Sequence, residues 1–363
     1  MRVLVVLTQP PLPEGGAPGK VAIGLLRGLA AHGLDVQAVA AGTSFTGEPP
    51  AGLPVEVVPV PPLSPWRARL GRLNRPRAEL AGGAFQARVR ELARDADVVH
   101  LEQPETVWCV DGLAAPAVLH LHYLARLDRP LGPPWRRQFR DVLDATRVER
   151  RAMHRLRYLL ASSPVVAEGL RSGSRAEVAV APLALDPALY AAAPLDAPQA
   201  GLIGTAAWPP TAEAMRTLSE EVWPQIARIA PAARLLIAGR GAERLELRAE
   251  VLGEIPSAAE FFQRISVLVF PLRRGSGMKV KVLEAMASGV PVVTTPAGAE
   301  GVDPSEGVLV NSDPKALAAA AADLLTDESA RRQRGAAARA DFERRYAPAP
   351  ATEPVVELYG RMR

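Results

Sequence analysis

Lys281 and Glu284 lie three residues apart in the stretch "GSGMKVKVLEAMASG", Gly275 to Gly289. On a helix that spacing puts both on one face, whereas Lys279 and Lys281, two apart, do not share one. An ammonium suits phosphate oxygens and a carboxylate suits a pair of vicinal hydroxyls, so the pair fits a ligand offering both, as a nucleoside diphosphate does. The same spacing also reads as a plain Lys–Glu pair on a core helix. Gly275 and Gly277 free the backbone just ahead of a helix expected to begin near Met278. Its first N–H groups and positive dipole end would form an anion site. A second pair, His120 and His122 in "VLHLHY", is spaced to face one side of a strand. A metal site there would need further ligands that the sequence does not place nearby, so none is expected. The glycines of "EGGAPGKV", Gly15, Gly16 and Gly19, form either a tight turn or a backbone surface against an acceptor or a phosphate. Their spacing, and Val21 where a hydroxyl would bind magnesium, exclude a Walker A loop.

Positioning such groups takes sheet edges, and the chain alternates short β-branched runs with longer helical patterns, the signature of parallel α/β architecture. Strands are expected at Val3 to Leu7, Val36 to Ala40, Val55 to Pro59, Val98 to Leu101, Ala117 to Leu121, Tyr158 to Ala161 and Val178 to Ala181. After a stretch rich in Ala and Pro the alternation restarts, with strands at Gly201 to Thr205, Arg234 to Ala238, Glu250 to Leu252, Val267 to Phe270, Pro291 to Thr294 and Gly307 to Val310. Helices are expected between them, among them Val21 to His32, Pro134 to Arg155, Thr211 to Ile229 and Met278 to Ser288. The pattern divides into a Rossmann-like domain over 1–183, a linker over 184–199, a second Rossmann-like domain over 200–346 and a tail over 347–363. In the tail, Glu353 to Arg361 is long enough for one helix that could return to the first domain. Two doubly wound domains facing across a cleft would bind ligands at the carboxyl ends of both sheets.

Bulk properties agree with this picture. At 363 residues the chain exceeds what one core usually supports. Its 48% hydrophobic and 23% charged content is ordinary for a globular protein. The single cysteine, Cys109, rules out an internal disulfide and fits a reducing cytoplasm. No run approaches the roughly 20 apolar residues of a membrane span. Net charge is +4, and arginines cluster at Arg67, Arg69, Arg72, Arg75 and Arg77 and again in Trp135 to Arg157. The clusters read either as solvated helix faces or as a surface for an anionic membrane, such as the inner face of a cell membrane, or for an anionic acceptor. Nucleic acid is not expected, because aromatic residues do not alternate with the basic ones.

The span "GSGMKVKVLEAMASGVPVVTT" resembles the sugar-nucleotide site of the glycosyltransferases of GT-B fold, in particular the retaining enzymes called family 4. "GLIGTAAWPPTAEAMRTLSEEVWPQI", "PAARLLIAGRG" and "GVPVVTTPAGAEGV" resemble other parts of that family's second domain, and "PPLPEGG" and "VLHLHYLARLDR" more loosely its first. The resemblance implies transfer of a sugar from a nucleoside diphosphate to an acceptor hydroxyl with retention at the anomeric carbon, without a metal or other cofactor. It implies phosphate contacts from Gly204, Thr205, Gly275, Ser276, Gly277, Lys279 and above all Lys281, base contacts around Glu254 and Ile255, and ribose contacts from Glu284. It puts Gly15 and Gly16 on the acceptor side, together with a strand-end histidine, His122 first and His120 second, that bonds the donor sugar. Many family members carry two glutamates eight positions apart; here the earlier position is Ser276, which brings no negative charge, so the sugar stays open. The acceptor is open among lipid carriers, polysaccharides and small molecules. A sugar-nucleotide epimerase of the same fold and a non-catalytic nucleotide-sugar-binding subunit are the alternatives.

Overall fold

The computed structural model of the chain describes residues 1–14, 16–42, 48–61, 83–129 and 131–362. Gly15 and the arginine run Arg67 to Arg77 lie outside these residues. The chain divides into two units, Met1–Leu185 with Pro348–Arg363, and Asp186–Ala347.

In the first unit seven strands, β1 (Arg2–Leu7), β2 (Asp35–Gly42), β3 (Val55–Pro59), β4 (Val98–Glu102), β5 (Ala117–Leu121), β6 (Tyr158–Ala161) and β7 (Glu177–Val180), lie in the order β3-β2-β1-β4-β5-β6-β7. Every pairing is parallel. Both faces of such a sheet are covered, so its inner strands are largely apolar, as β1 with "VLVVL" buried from Val3 to Leu7 illustrates. Helix Ala17–Ala31 carries Pro18 in its first turn, where a missing N–H is harmless, and ends at His32 with Gly33 at φ +73°. Two of its glycines permit backbone contact: a Cβ on Gly24 would lie 2.3 Å from Ala184 O, and one on Gly28 2.3 Å from Pro348 O.

The latter contact is with the C-terminal helix, Pro348–Arg361, which sets Val355, Leu358 and Tyr359, with Met362 just past its end, into the apolar cluster holding Val3, Val5, Leu26 and Leu160. It starts five residues before the expected Glu353. Pro348 and Pro350 fall in the first turn, where their lack of an N–H costs nothing, and only Pro354 interrupts the hydrogen-bond ladder.

In the second unit β8 (Gln199–Ile203), β9 (Arg234–Ala238), β10 (Glu250–Gly253), β11 (Val267–Phe270), β12 (Val292–Thr294) and β13 (Val308–Val310) form a parallel sheet in the order β10-β9-β8-β11-β12-β13. From Asp186 onward the stretch read as a linker belongs to this unit, and Tyr190 and Leu195 are buried. The single helix expected over Thr211 to Ile229 is instead two segments, Pro209–Thr217 and Trp223–Ile229, joined by a π-turn at Leu218–Val222. Pro224 explains the wide turn: it has no N–H for the carbonyl four residues back and its ring crowds that oxygen. In each sheet the winding reverses beside the first strand, between β1 and β4 and between β8 and β11. At such a point the loops after the two strands diverge and leave room for a ligand.

Candidate functional site

At the carboxyl edge of the second sheet four neighbouring strands end together, three of them in residues singled out above. Gly204 and Thr205 follow β8, Gly239 and Arg240 follow β9, Glu254 and Ile255 follow β10, and the Pro271 to Gly277 loop follows β11. The backbones after β8 and β9 touch: a Cβ on Gly239, at φ +120°, would fall 2.0 Å from Gly204 O. A Cβ on Gly204 would press on two side chains, sitting 2.8 Å from both Lys281 Nζ and Thr211 Cγ2, so one or both would have to shift. The backbone turn thus lies directly beneath the Lys281 ammonium.

The helix after the loop is Val280–Ala287, with Lys279 as its N-cap, so it starts two residues later than expected. Gly275 at φ +145° and Gly277 at φ +73° hold the chain out of helix up to that point. Lys279 turns back on this loop, its Nζ donating to Ser276 O at 3.1 Å and to Gly277 O. Lys281 instead reaches over the Phe270 ring, 4.5 Å from its centroid, and donates to Thr211 Oγ1 at 3.4 Å. Burial draws its ammonium down to about 8, against the raising effect of Glu284 and with added repulsion from Lys279.

Glu284 is buried one turn farther along, and its Oε1 accepts a hydrogen bond from Tyr190 OH at 3.1 Å. Burial, then the Glu284 charge, raises the Tyr190 phenol well above its ordinary range, so it stays a donor. Sequence reasoning missed Tyr190, which stands 94 positions away in the stretch read as a linker. Ser276 is buried. Glu254 is exposed and paired with Arg240 at 3.1 Å, and Ile255 is half-buried beside it.

At the carboxyl edge of the first sheet the two histidines meet a carboxylate that the sequence reading did not single out. Glu102 ends β4, and its Cα is paired in register with His120 on β5. Its Oε1 lies 2.8 Å from His100 Nε2 and 3.1 Å from His120 Nδ1. Its Oε2 lies 2.7 Å from His122 Nε2, though off the line of that ring's N–H. Outer contacts hold two rings: Tyr359 OH is 2.6 Å from His100 Nδ1, and Gln103 Nε2 is 2.8 Å from His122 Nδ1. All six residues are buried. Burial alone would push the Glu102 carboxyl up, but the His122 and His120 rings and the hydrogen bonds from His100 and His120 outweigh it and hold it well below the usual carboxylate range. Burial lowers His120, against the opposing pull of the Glu102 charge.

Gln103 is held at φ +72°, a strained conformation for a residue with a side chain. That geometry lets its N–H reach His120 O while its amide reaches His122. The strand signal was present in the sequence: "VHLE" and "LHLH" place alternate polar groups on strands that are otherwise apolar. Of the glycine loop after β1, Gly16 is the N-cap of helix Ala17–Ala31 and makes no side-chain cap.

Comparison with known proteins bears on both units. The chain matches the family described as "Glycosyl transferase 4-like domain" over residues 16–184 and the family described as "Glycosyl transferases group 1" over residues 197–327. No curated protein matches it significantly. Among solved structures it is similar to Anabaena HepE in complex with UDP and glucose, with 17% identity and a TM-score of 0.64 over 99% of this chain and 100% of that one. It is also similar to AviGT4, a glycosyltransferase involved in avilamycin A biosynthesis, with 17% identity and a TM-score of 0.59 over 99% and 97%. The similarity to S. aureus TarM is 10% identity and a TM-score of 0.67 over 99% and 98%.

Proposed function

The chain belongs to the glycosyl transferases of group 1, in the GT-B fold, and on that footing we propose that it moves a sugar from a nucleoside diphosphate to an acceptor hydroxyl with retention at the anomeric carbon. The observation that carries the reading is the Lys281 ammonium, withdrawn from water over Phe270 and set against the close-packed backbone turn at Gly204. A pyrophosphate there gains a charge-assisted hydrogen bond from Lys281 and backbone donors from the loops after β8 and β11. In this reading Gly204, Thr205, Gly275, Ser276 and Gly277 line the phosphates, Glu254 and Ile255 flank the base, and Glu284 accepts from the ribose hydroxyls.

Negative charge growing on the departing diphosphate is met by groups already in place, which lowers the barrier without solvent rearrangement and without a metal ion. The leaving phosphate then takes the acceptor proton on the same face of the sugar. Lys279, braced on the loop carbonyls, keeps the turn shaped and adds positive potential.

UDP is the first probe, since HepE was solved with it. At a hundredfold excess over Kd, UDP is expected to stabilise the protein by about 2.7 kcal/mol. Lys281→Ala and Glu284→Ala should each remove most of that gain. If no nucleoside diphosphate stabilises the wild type, or if both variants respond as it does, the assignment fails.

The exposed face of helix Arg137–Arg155 and the segment before it support a second element of the proposal, peripheral attachment of this unit to an anionic membrane. Trp135 is 83% exposed and Leu131 50%. Among the described residues no helix is long and apolar enough to cross a membrane.

A further inference from the structure

We propose that Glu102 is a positioning residue: it fixes the tautomers of His100, His120 and His122, so that His120 presents an unprotonated Nε2 to a hydroxyl group of a substrate. The argument starts from the donor count. An ionised carboxylate only accepts, so the ring nitrogens hydrogen-bonded to it, His100 Nε2 and His120 Nδ1, carry protons, while the Gln103 amide donating to His122 Nδ1 leaves that ring's proton on Nε2, 2.7 Å from the carboxylate but out of line for a hydrogen bond. The opposite nitrogens are then acceptors. Two of them are satisfied, His100 Nδ1 by Tyr359 OH and His122 Nδ1 by the Gln103 amide. The third, His120 Nε2, is buried with no hydrogen-bond partner among the described residues. A buried lone pair without a donor has lost its water and gained nothing in return, and a ligand hydroxyl is the simplest group that relieves it.

A metal ion is the competing occupant, since His100, Glu102 and His120 offer three ligand atoms within 4.8 Å. The separations decide against it. Bonds of about 2.0–2.1 Å in a tetrahedron set ligand atoms roughly 3.3 Å apart, whereas His100 Nε2 and His120 Nδ1 stand 2.8 and 3.1 Å from Glu102 Oε1, the length of direct hydrogen bonds. The sheet supplies the geometry. His100 and Glu102 are two apart on β4, and Glu102 is opposite His120 on β5, so the register fixes which rings the carboxylate can reach. Tyr359 joins through the C-terminal helix, which ties the last residues of the chain to the tautomer state of the first unit.

The proposal rests on the transfer reading for its catalytic consequence, but the tautomers can be read without it. In protein labelled with 15N-histidine, long-range proton–nitrogen spectra should show His120 neutral with its proton on Nδ1, and His100 and His122 with protons on Nε2. Glu102→Gln keeps the shape but turns one oxygen into a donor, so at least one ring must exchange tautomers. With UDP-glucose and GDP-mannose as donor probes, kcat should fall about 10²-fold while KM for the donor stays within a factor of about three. Glu102→Asp should recover part of the loss. Should Glu102→Gln not fold, Tyr359→Phe removes only the hydroxyl on His100 Nδ1, and is expected to shift the His100 signals and lower kcat several-fold. Wild-type tautomers and kcat in the folded variants, or a stoichiometric metal ion bound by His100, Glu102 and His120, would overturn the proposal. Absence of turnover by the wild type counts against the transfer reading, and leaves the tautomer assignment to the spectra.

Discussion

The Lys281 ammonium is partly stripped of water, and this gives the candidate donor site a pH signature of its own. Burial lowers its pKa to about 8, and a bound diphosphate favours the charged form and raises it again. UDP affinity is therefore expected to be flat below about pH 8 and to weaken above it, by up to tenfold per pH unit, until the pKa of the complex is reached. The sign for folding is opposite: between about 8 and the unfolded value the unfolded chain binds more protons, so this residue makes the fold more stable as pH rises. Titration calorimetry with UDP from about pH 7 to about 9.5 separates the two effects. Lys281→Gln should weaken binding about 10- to 100-fold, the range of a hydrogen bond to a charged group, and should flatten the profile. A wild-type profile that is already flat would place the phosphates elsewhere. Lys281 and Glu284 were legible in the sequence because both belong to one helix, where spacing alone decides which residues share a face. Tyr190 and Glu102 were not, because each acts across a fold contact, with Glu284 94 positions away and with His120 through strand register.

At the scale of elements, β-branched runs on doubly covered strands stand out from their surroundings, and the expected strands lie within two residues of those observed. Helix ends were harder to read. Loop geometry delays the helix at Val280, prolines advance the one at Pro348, and Pro224 opens a π-turn, each a backbone effect that side-chain periodicity does not register. The turn after β8 has two glycines whose roles differ, and substitution should separate them. Gly239→Ala forces a side chain at φ +120° against Gly204 O and is expected to destabilise the protein by roughly 2–4 kcal/mol. Gly204→Ala meets the Lys281 ammonium and a Thr211 methyl, both of which can move. It should cost little stability but displace Lys281 and weaken UDP binding about tenfold or more, the loss expected when a hydrogen bond to a charged group is broken. Thermal denaturation with and without UDP reads both effects, and a Gly204→Ala variant that binds UDP normally would argue against contact between that turn and the phosphates.

For the whole molecule the charge distribution matters more than the net charge of +4. On helix Arg137–Arg155 the face carrying Val142, Ala145, Val148 and Ala152 is buried. The opposite stripe, Arg136, Arg140, Leu143, Arg147, Arg150 and His154, recurs at intervals of four and three and is exposed along its length. Leu127, Leu131 and Trp135 stand exposed just before it, at 41%, 50% and 83%. A solvated helix face accounts for the arginines but not for a tryptophan and leucines left in water beside them, whereas an anionic bilayer takes both: headgroups pair with the guanidiniums while Trp135 enters the interface. Each basic residue near such a surface contributes about 1 kcal/mol, so Arg140→Glu together with Arg147→Glu should lower binding at least about 30-fold. Sedimentation with phosphatidylglycerol vesicles should carry the wild type down at low salt and release it at high salt, and Trp135→Ala should weaken the residual binding that salt does not remove. Equal binding to phosphatidylcholine vesicles, or none to either kind, would leave the arginine stripe as a solvated face and detach the membrane from the proposal.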